Sequence, residues 1–235
     1  MNIVITGASK GFGKAIAAIF AADKQGHNFF LCARNIMELE TAGKDLQERF
    51  PENKIYIKSC DVSDKTSLQE FVAWIHGYST KVDILVNNAG IYLPGSAYGE
   101  DDGMLEKLME VNLYSAYHLT RMILPGMIKE KSGHIFNMCS IASIIAYPNG
   151  GAYSISKFAL YGFSKNLREE MKPHGIKVTH VLPGAAYTDS WSGSGIDPKR
   201  IMEAADVAKM IHAAAQLSPQ ACVEEIILRP QLGDL

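Results

Sequence analysis

The stretch SIASIIAYPNGGAYSISK, residues 140 to 157, holds three side chains able to handle a proton together. Ser140 is followed thirteen residues later by Tyr153, and Tyr153 four residues later by Lys157. If GGAYSISKFALYGFSKNLREEM is helical, the four-residue gap puts Tyr153 and Lys157 on one face, a turn apart. A phenol ordinarily keeps its proton up to a pH of about 10. A neighbouring ammonium favours the phenolate and lowers that value, so Lys157 is expected to let Tyr153 exchange a proton near neutral pH. The Ser140 hydroxyl could then bond an oxygen on which negative charge develops. Such a set suits carbonyl reduction, in which a cofactor carries the hydride and the protein must supply the acid. In isolation a Tyr–Lys pair four apart is most often a helix-surface pair, and Tyr147 and Tyr161 show that tyrosine is common in this region.

Those groups need elements to hold them. The runs NIVIT, NFFLCA, KIYIKS, VDILVN, GHIFNMC, IKVTHVL and VEEIILRP read as seven strands, rich in β-branched and aromatic residues. Between them lie amphipathic segments at about 10–31, 35–50, 63–79, 103–131, 151–173 and 203–217, each long enough for a crossover helix. The alternation predicts an α/β fold: a doubly wound parallel sheet covered on both faces, in a single domain spanning 1–235. LPGAAYTDSWSGSGIDPKR is long for a strand-to-helix connection, and residues 184–202 are a candidate lid. Trp191, the larger of its two aromatics beside Tyr187, is expected to cover substrate.

At the N-terminus, NIVITGASKGFGKAIAAIF runs strand, glycine turn, helix, with Gly7, Gly11 and Gly13 spaced G-x3-G-x-G. Small residues there let the backbone approach a pyrophosphate held by N–H groups at the helix start. Dinucleotide folds commonly place an acid for the adenosine ribose at the end of the second strand. Here that strand ends NFFLCARN, with Ala33 at the acidic place, Arg34 after it and Lys10 in the glycine turn. Two cations and no carboxylate favour a 2′-phosphate, hence NADP(H) over NAD(H).

Composition removes other classes. The 235 residues are 47% hydrophobic and 20% charged with net charge −2, and no basic stripe suits a nucleic acid. No run of about eighteen apolar residues suits a membrane span, and the N-terminus has no basic region before its apolar run. Cys32, Cys60, Cys139 and Cys222 lack CxxC spacing, which points to reduced thiols and a cytoplasmic location. The seven histidines show no HxH or HExxH spacing, so no metal site is expected.

With TGASKGFG, NNAG at 87–90 and Tyr153-x3-Lys157 in this order, the chain resembles the short-chain dehydrogenase/reductase family over almost its whole length. The resemblance implies a Rossmann-type sheet of seven parallel strands with cofactor and active sites in one domain. It implies a catalytic tetrad of Asn112, Ser140, Tyr153 and Lys157, with Asn112 ordering a water that restores the proton and Lys157 also holding the nicotinamide ribose. It further implies cofactor contacts from Gly7, Ser9, Lys10, Gly11, Phe12 and Gly13 in the glycine turn, and from Arg34. Asp61 and Val62 in CDVSD would flank the adenine, and Asn88, Ala89 and Gly90 would line the cofactor floor. Pro183, Gly184, Ala186 and Thr188 in PGAAYT would lie beside the nicotinamide, although Ala185 and Ala186 depart from the bulkier pair common there. Pairing through the helices at about 103–131 and 151–173 would give a homodimer or homotetramer.

The ending EEIILRP and the tryptophan after PGAAYT are similar to bacterial sepiapterin-reductase-like members. That similarity implies a small carbonyl or alcohol substrate, with a pteridine side-chain carbonyl as one form of it. A 3-oxoacyl or broad-range carbonyl reductase, and a cofactor-sensing module without turnover, stand as alternatives. The intact tetrad speaks against the sensing module.

Overall fold

The computed structural model describes residues 1–188 and 195–234. Strand β1 (Asn2–Thr6) leads into helix α1 (Gly11–Ala21), then β2 (Asn28–Ala33), α2 (Ile36–Arg49), β3 (Lys54–Ser59), α3 (Lys65–His76) and β4 (Ile84–Asn87). The second half runs through α4 (Met104–Met109), α5 (Ser115–Glu130), β5 (Gly133–Met138), α6 (Gly151–Met171) and β6 (Ile176–Pro183). It closes with the short strands β7 (Ala186–Tyr187) and β8 (Met202–Glu203), α7 (Ala204–Ala215) and β9 (Glu225–Leu228). Seven strands form one sheet in the order β3-β2-β1-β4-β5-β6-β9, and every pairing is parallel.

The alternation of side chains along each strand divides the core into two layers. Ile3, Ile5, Phe29 and Leu31 pack on one face with Phe20 of α1, Leu39 of α2 and Ile211 of α7. Val4, Phe30 and Leu85 point to the other, against Phe71 of α3, Ile123 of α5 and Leu167 of α6. Helix starts are secured locally: the Asn35 side chain accepts from the N–H groups of Met37 and Glu38, and Asp64 accepts from Thr66.

Three expectations about the elements are corrected. The helix expected over about 10–31 stops at Ala21, and residues 22–27 turn back to the sheet with Lys24 and Gly26 at positive φ. The polar run ADKQGH with its Gly26 is the turn signal, which a helical segment drawn through to the next strand overruns. The helix expected over about 103–131 is interrupted by a π-helical turn at Glu110–Tyr114. The connection after β6 is partly ordered as the two-residue parallel ladder of β7 with β8. No helix among the described residues is long and apolar enough to cross a membrane.

Candidate active site

The strand order reverses direction between β1 and β4, and their carboxyl ends open a cleft of about 640 Å³. Gly7 and Gly11 border it at φ +65° and +54°, a region that side-chain-bearing residues rarely adopt. A Cβ at Gly13 would lie 2.3 Å from the Gly7 carbonyl oxygen, so the third glycine lets α1 pack against the turn. Helix α1 starts with no side-chain cap, which leaves its first N–H groups for an anion. Asn88 braces the turn from β4, its Nδ2 donating to the Thr6 carbonyl (2.8 Å) and the Gly7 carbonyl (3.1 Å). The Thr6 hydroxyl accepts from the N–H groups of Asn88 (3.0 Å) and Ala89 (2.9 Å). The glycine cradle and its brace fit a dinucleotide.

At one end of this cradle lie Ser9, Lys10, Phe12 and Arg34, with Asp61 and Val62 across from them. Ala33 presents no carboxylate, as the sequence indicates, but Glu38 in the first turn of α2 also borders this end. The expected absence of any carboxylate there is therefore corrected to two cations and two acids, Glu38 and Asp61. Burial alone would raise the Asp61 carboxyl. The Ser63 hydroxyl (2.7 Å) and N–H (3.0 Å) and the nearby Arg34 charge outweigh it, and Asp61 sits below its ordinary value.

At the other end, Ser140, Tyr153 and Lys157 line the same cleft with Ala89, Gly90, Pro183, Gly184, Ala186 and Thr188. Lys157 is buried and its Nζ donates to the Met138 carbonyl at 2.8 Å. Desolvation pulls its ammonium down to about 8. Burial pushes the Tyr153 phenol up to about 12, and a side-chain hydrogen bond with Ser140 only partly opposes that. The expected lowering of Tyr153 by Lys157 is thus corrected. The ammonium lies 5.9 Å from the Tyr153 ring centroid, and desolvation dominates at both groups. At neutral pH Tyr153 is a phenol, the form that can donate.

Asn112 does not border the cleft. It sits in the π-helical turn, where its Oδ1 accepts from the Ile91 N–H (2.8 Å) and its Nδ2 donates to the Ile91 carbonyl (3.1 Å) and the Ser156 hydroxyl (3.0 Å). Both side-chain donors are used within the protein, and Asn112 ties the loop after β4 to α6. A Cβ on Gly90 would come 3.1 Å from Asn112 Oδ1 and 3.4 Å from Lys157 Nζ, so that glycine lets floor, brace and ammonium meet. Trp191 lies outside the described residues.

Sequence reasoning missed several cleft residues. Tyr92 and Tyr147 border it, as does Asp234, whose Oδ1 approaches Gly184 while Oδ2 pairs with Arg229. Arg200 holds this tail through the carbonyls of Leu232, Gly233 and Asp234. Nothing in the local sequence around Asp234 signals that it returns to β6.

Residues 1–198 match the family model described as short chain dehydrogenase. The chain belongs to the short-chain dehydrogenase/reductase family. Its relatives in the family include dehydrogenase/reductase SDR family member 7B of Mus musculus, 34% identical over 189 residues. That match takes 80% of this chain but only 58% of the mouse protein. Sepiapterin reductase of Chlorobaculum tepidum is 31% identical over 239 residues, covering 99% of this chain and 97% of that protein. A metagenomic short-chain oxidoreductase solved in complex with NADP superposes with a TM-score of 0.84 at 29% identity, over 98% of this chain and 97% of that one.

Proposed function

We propose that the chain is an NADP(H)-dependent oxidoreductase that reduces a ketone or aldehyde to an alcohol. The observation that carries this reading is the convergence of Ser140, Tyr153 and Lys157 on the cleft that the glycine turn opens. The cradle of Gly7, Ser9, Gly11 and Phe12 would hold the pyrophosphate side, Lys10 and Arg34 the 2′-phosphate, and Asp61 and Val62 the adenine. Ala89, Gly90, Pro183, Gly184, Ala186 and Thr188 would hold the nicotinamide end. Bound there, NADPH would supply a hydride to the carbonyl carbon.

The protein's own part is the proton. Tyr153 gives its phenolic proton to the carbonyl oxygen as charge develops there, and Ser140 donates a hydrogen bond to the same oxygen. Lys157 would hold the nicotinamide ribose and compensate the phenolate left behind. Asn112 fixes the register between α6 and the loop after β4. The likeness to a sepiapterin reductase over 99% of the chain supports a pteridine side-chain carbonyl as a substrate to test.

The test follows nucleotide absorbance with NADPH or NADH over small aldehydes, aryl ketones, 3-oxoacyl thioesters and a pteridine diketone. Turnover with NADPH is expected for a subset of these. If no carbonyl is reduced and no corresponding alcohol is oxidised, the reading fails.

A further inference from the structure

Tyr92, two residues beyond NNAG, and Tyr147, seven beyond Ser140, have no part in the chemistry above. Both rings border the cleft and are 44% and 37% exposed. The Tyr92 ring meets Tyr153 edge to face, with centroids 4.8 Å apart at 83°. Tyr147 lies close enough to Tyr92 and Tyr153 that both, after burial, hold its phenol above the ordinary range. Three phenols therefore share one corner of the cleft.

The two loops that carry the outer pair are fastened to each other and to α6. The Gly95 N–H donates to the Asn149 carbonyl at 3.1 Å. Both Glu100 carboxylate oxygens accept from the Ala152 N–H, at 2.9 and 3.0 Å, one residue before Tyr153. Other side chains of the cleft near Ser140 and Tyr147 are Ile141, Ala142 and Ile145, all uncharged. The cations Lys10 and Arg34 and the acids Glu38 and Asp61 belong to the glycine-turn end, while at the catalytic end Lys157 is bonded to the Met138 carbonyl and Asp234, against Gly184, is paired with Arg229. Half-exposed rings beside a proton donor, framed by aliphatic groups, match a flat apolar surface better than a charged or sugar-like one.

We propose that Tyr92 and Tyr147 form an aromatic recess that seats the uncharged planar group of an aryl or conjugated ketone or aldehyde, presenting its carbonyl to Tyr153. This rests on the reading of Tyr153 as the proton donor, and it adds the substrate class and two specificity-determining residues. The recess is held by the Glu100 and Gly95 contacts, so it exists before substrate arrives.

Acetophenone and cyclohexyl methyl ketone, similar in size but differing in planarity, separate the possibilities. Two readouts are taken: the ratio of their kcat/KM values, and their binding to the NADP+-loaded protein by saturation-transfer NMR. The wild type should favour acetophenone by about two- to tenfold per ring engaged. Tyr92→Ala and Tyr147→Ala should each move that preference toward parity, while Tyr92→Phe and Tyr147→Phe, which keep the ring, should retain it. A wild type without aryl preference, or alanine variants that keep it unchanged in both readouts, would overturn the recess. Aryl-selective binding that depends on both rings, in a protein that turns over neither ketone, would support the recess and strike the reductase reading instead.

Discussion

At Tyr153 and Lys157 two effects compete, and the buried one wins. A four-residue spacing suggests that the ammonium should draw the phenol down, yet the pair is not directly bonded and Lys157 is buried. Desolvation raises Tyr153 to about 12 and lowers Lys157 to about 8. The lysine shift makes a prediction about stability. Between its folded value of about 8 and its unfolded value of about 10.4, the unfolded chain binds more protons at this group. Stability must then rise with pH across that window, and the penalty for the buried ammonium is present in full below it. Lys157→Met removes the titration but not the packing. Relative to wild type, this variant should be most stable below pH 8 and lose that standing as pH climbs toward about 10. Thermal melts of both proteins from pH 7 to 10 give the difference, in which other groups cancel. A flat difference would mean that Lys157 titrates normally.

Among the elements, α6 matters most, because its first turn carries Tyr153 and its second Lys157. That start has no cap from its own N-cap residue, Gly150. Glu100 supplies the acceptor from a distant loop, and a Cβ on Gly151 would fall within 2.1 Å of its Oε1, so the fit depends on glycine there. Glu100→Ala should lower stability by about 1 kcal/mol in urea unfolding and reduce kcat, while Glu100→Gln, which keeps an acceptor, should recover much of both. An alanine variant unchanged in both would remove Glu100 from the positioning of α6. How much of this was legible follows from the physics of each element. The strands NFFLCA and KIYIKS matched their boundaries because a short apolar run between turns has few other uses. The π-helical turn at Asn112 left no clear mark because apolar residues are dense on both sides of it, which masks the phase shift of one extra residue. Ser140, Tyr153 and Lys157 could be found because their spacing is local or their types are unusual together. Tyr92, Tyr147, Glu100 and Asp234 could not, because each acts only through contacts across long stretches of chain.

For the whole molecule, the parallel sheet places both ends of one cleft on the same edge, so cofactor and stability are linked. NADP+ at a hundred times its dissociation constant should stabilise the fold by about 2.7 kcal/mol, a rise in Tm of about 5–10 °C. Arg34→Ala should shrink that rise for NADP+ and leave the rise with NAD+ nearly intact, since a charge-assisted contact contributes about 1.5–3 kcal/mol. Equal losses with both nucleotides would show that Arg34 does not read the 2′-phosphate. The central claim is that this cleft donates a proton through Tyr153 to a carbonyl, and Tyr153→Phe tests it most directly, with rate and NADPH affinity measured on the same preparation. The account predicts a fall in kcat of at least ~100-fold with NADPH affinity nearly unchanged, because the ring stays and only the transferable proton is gone. A variant that turns over within a few-fold of wild type would contradict it.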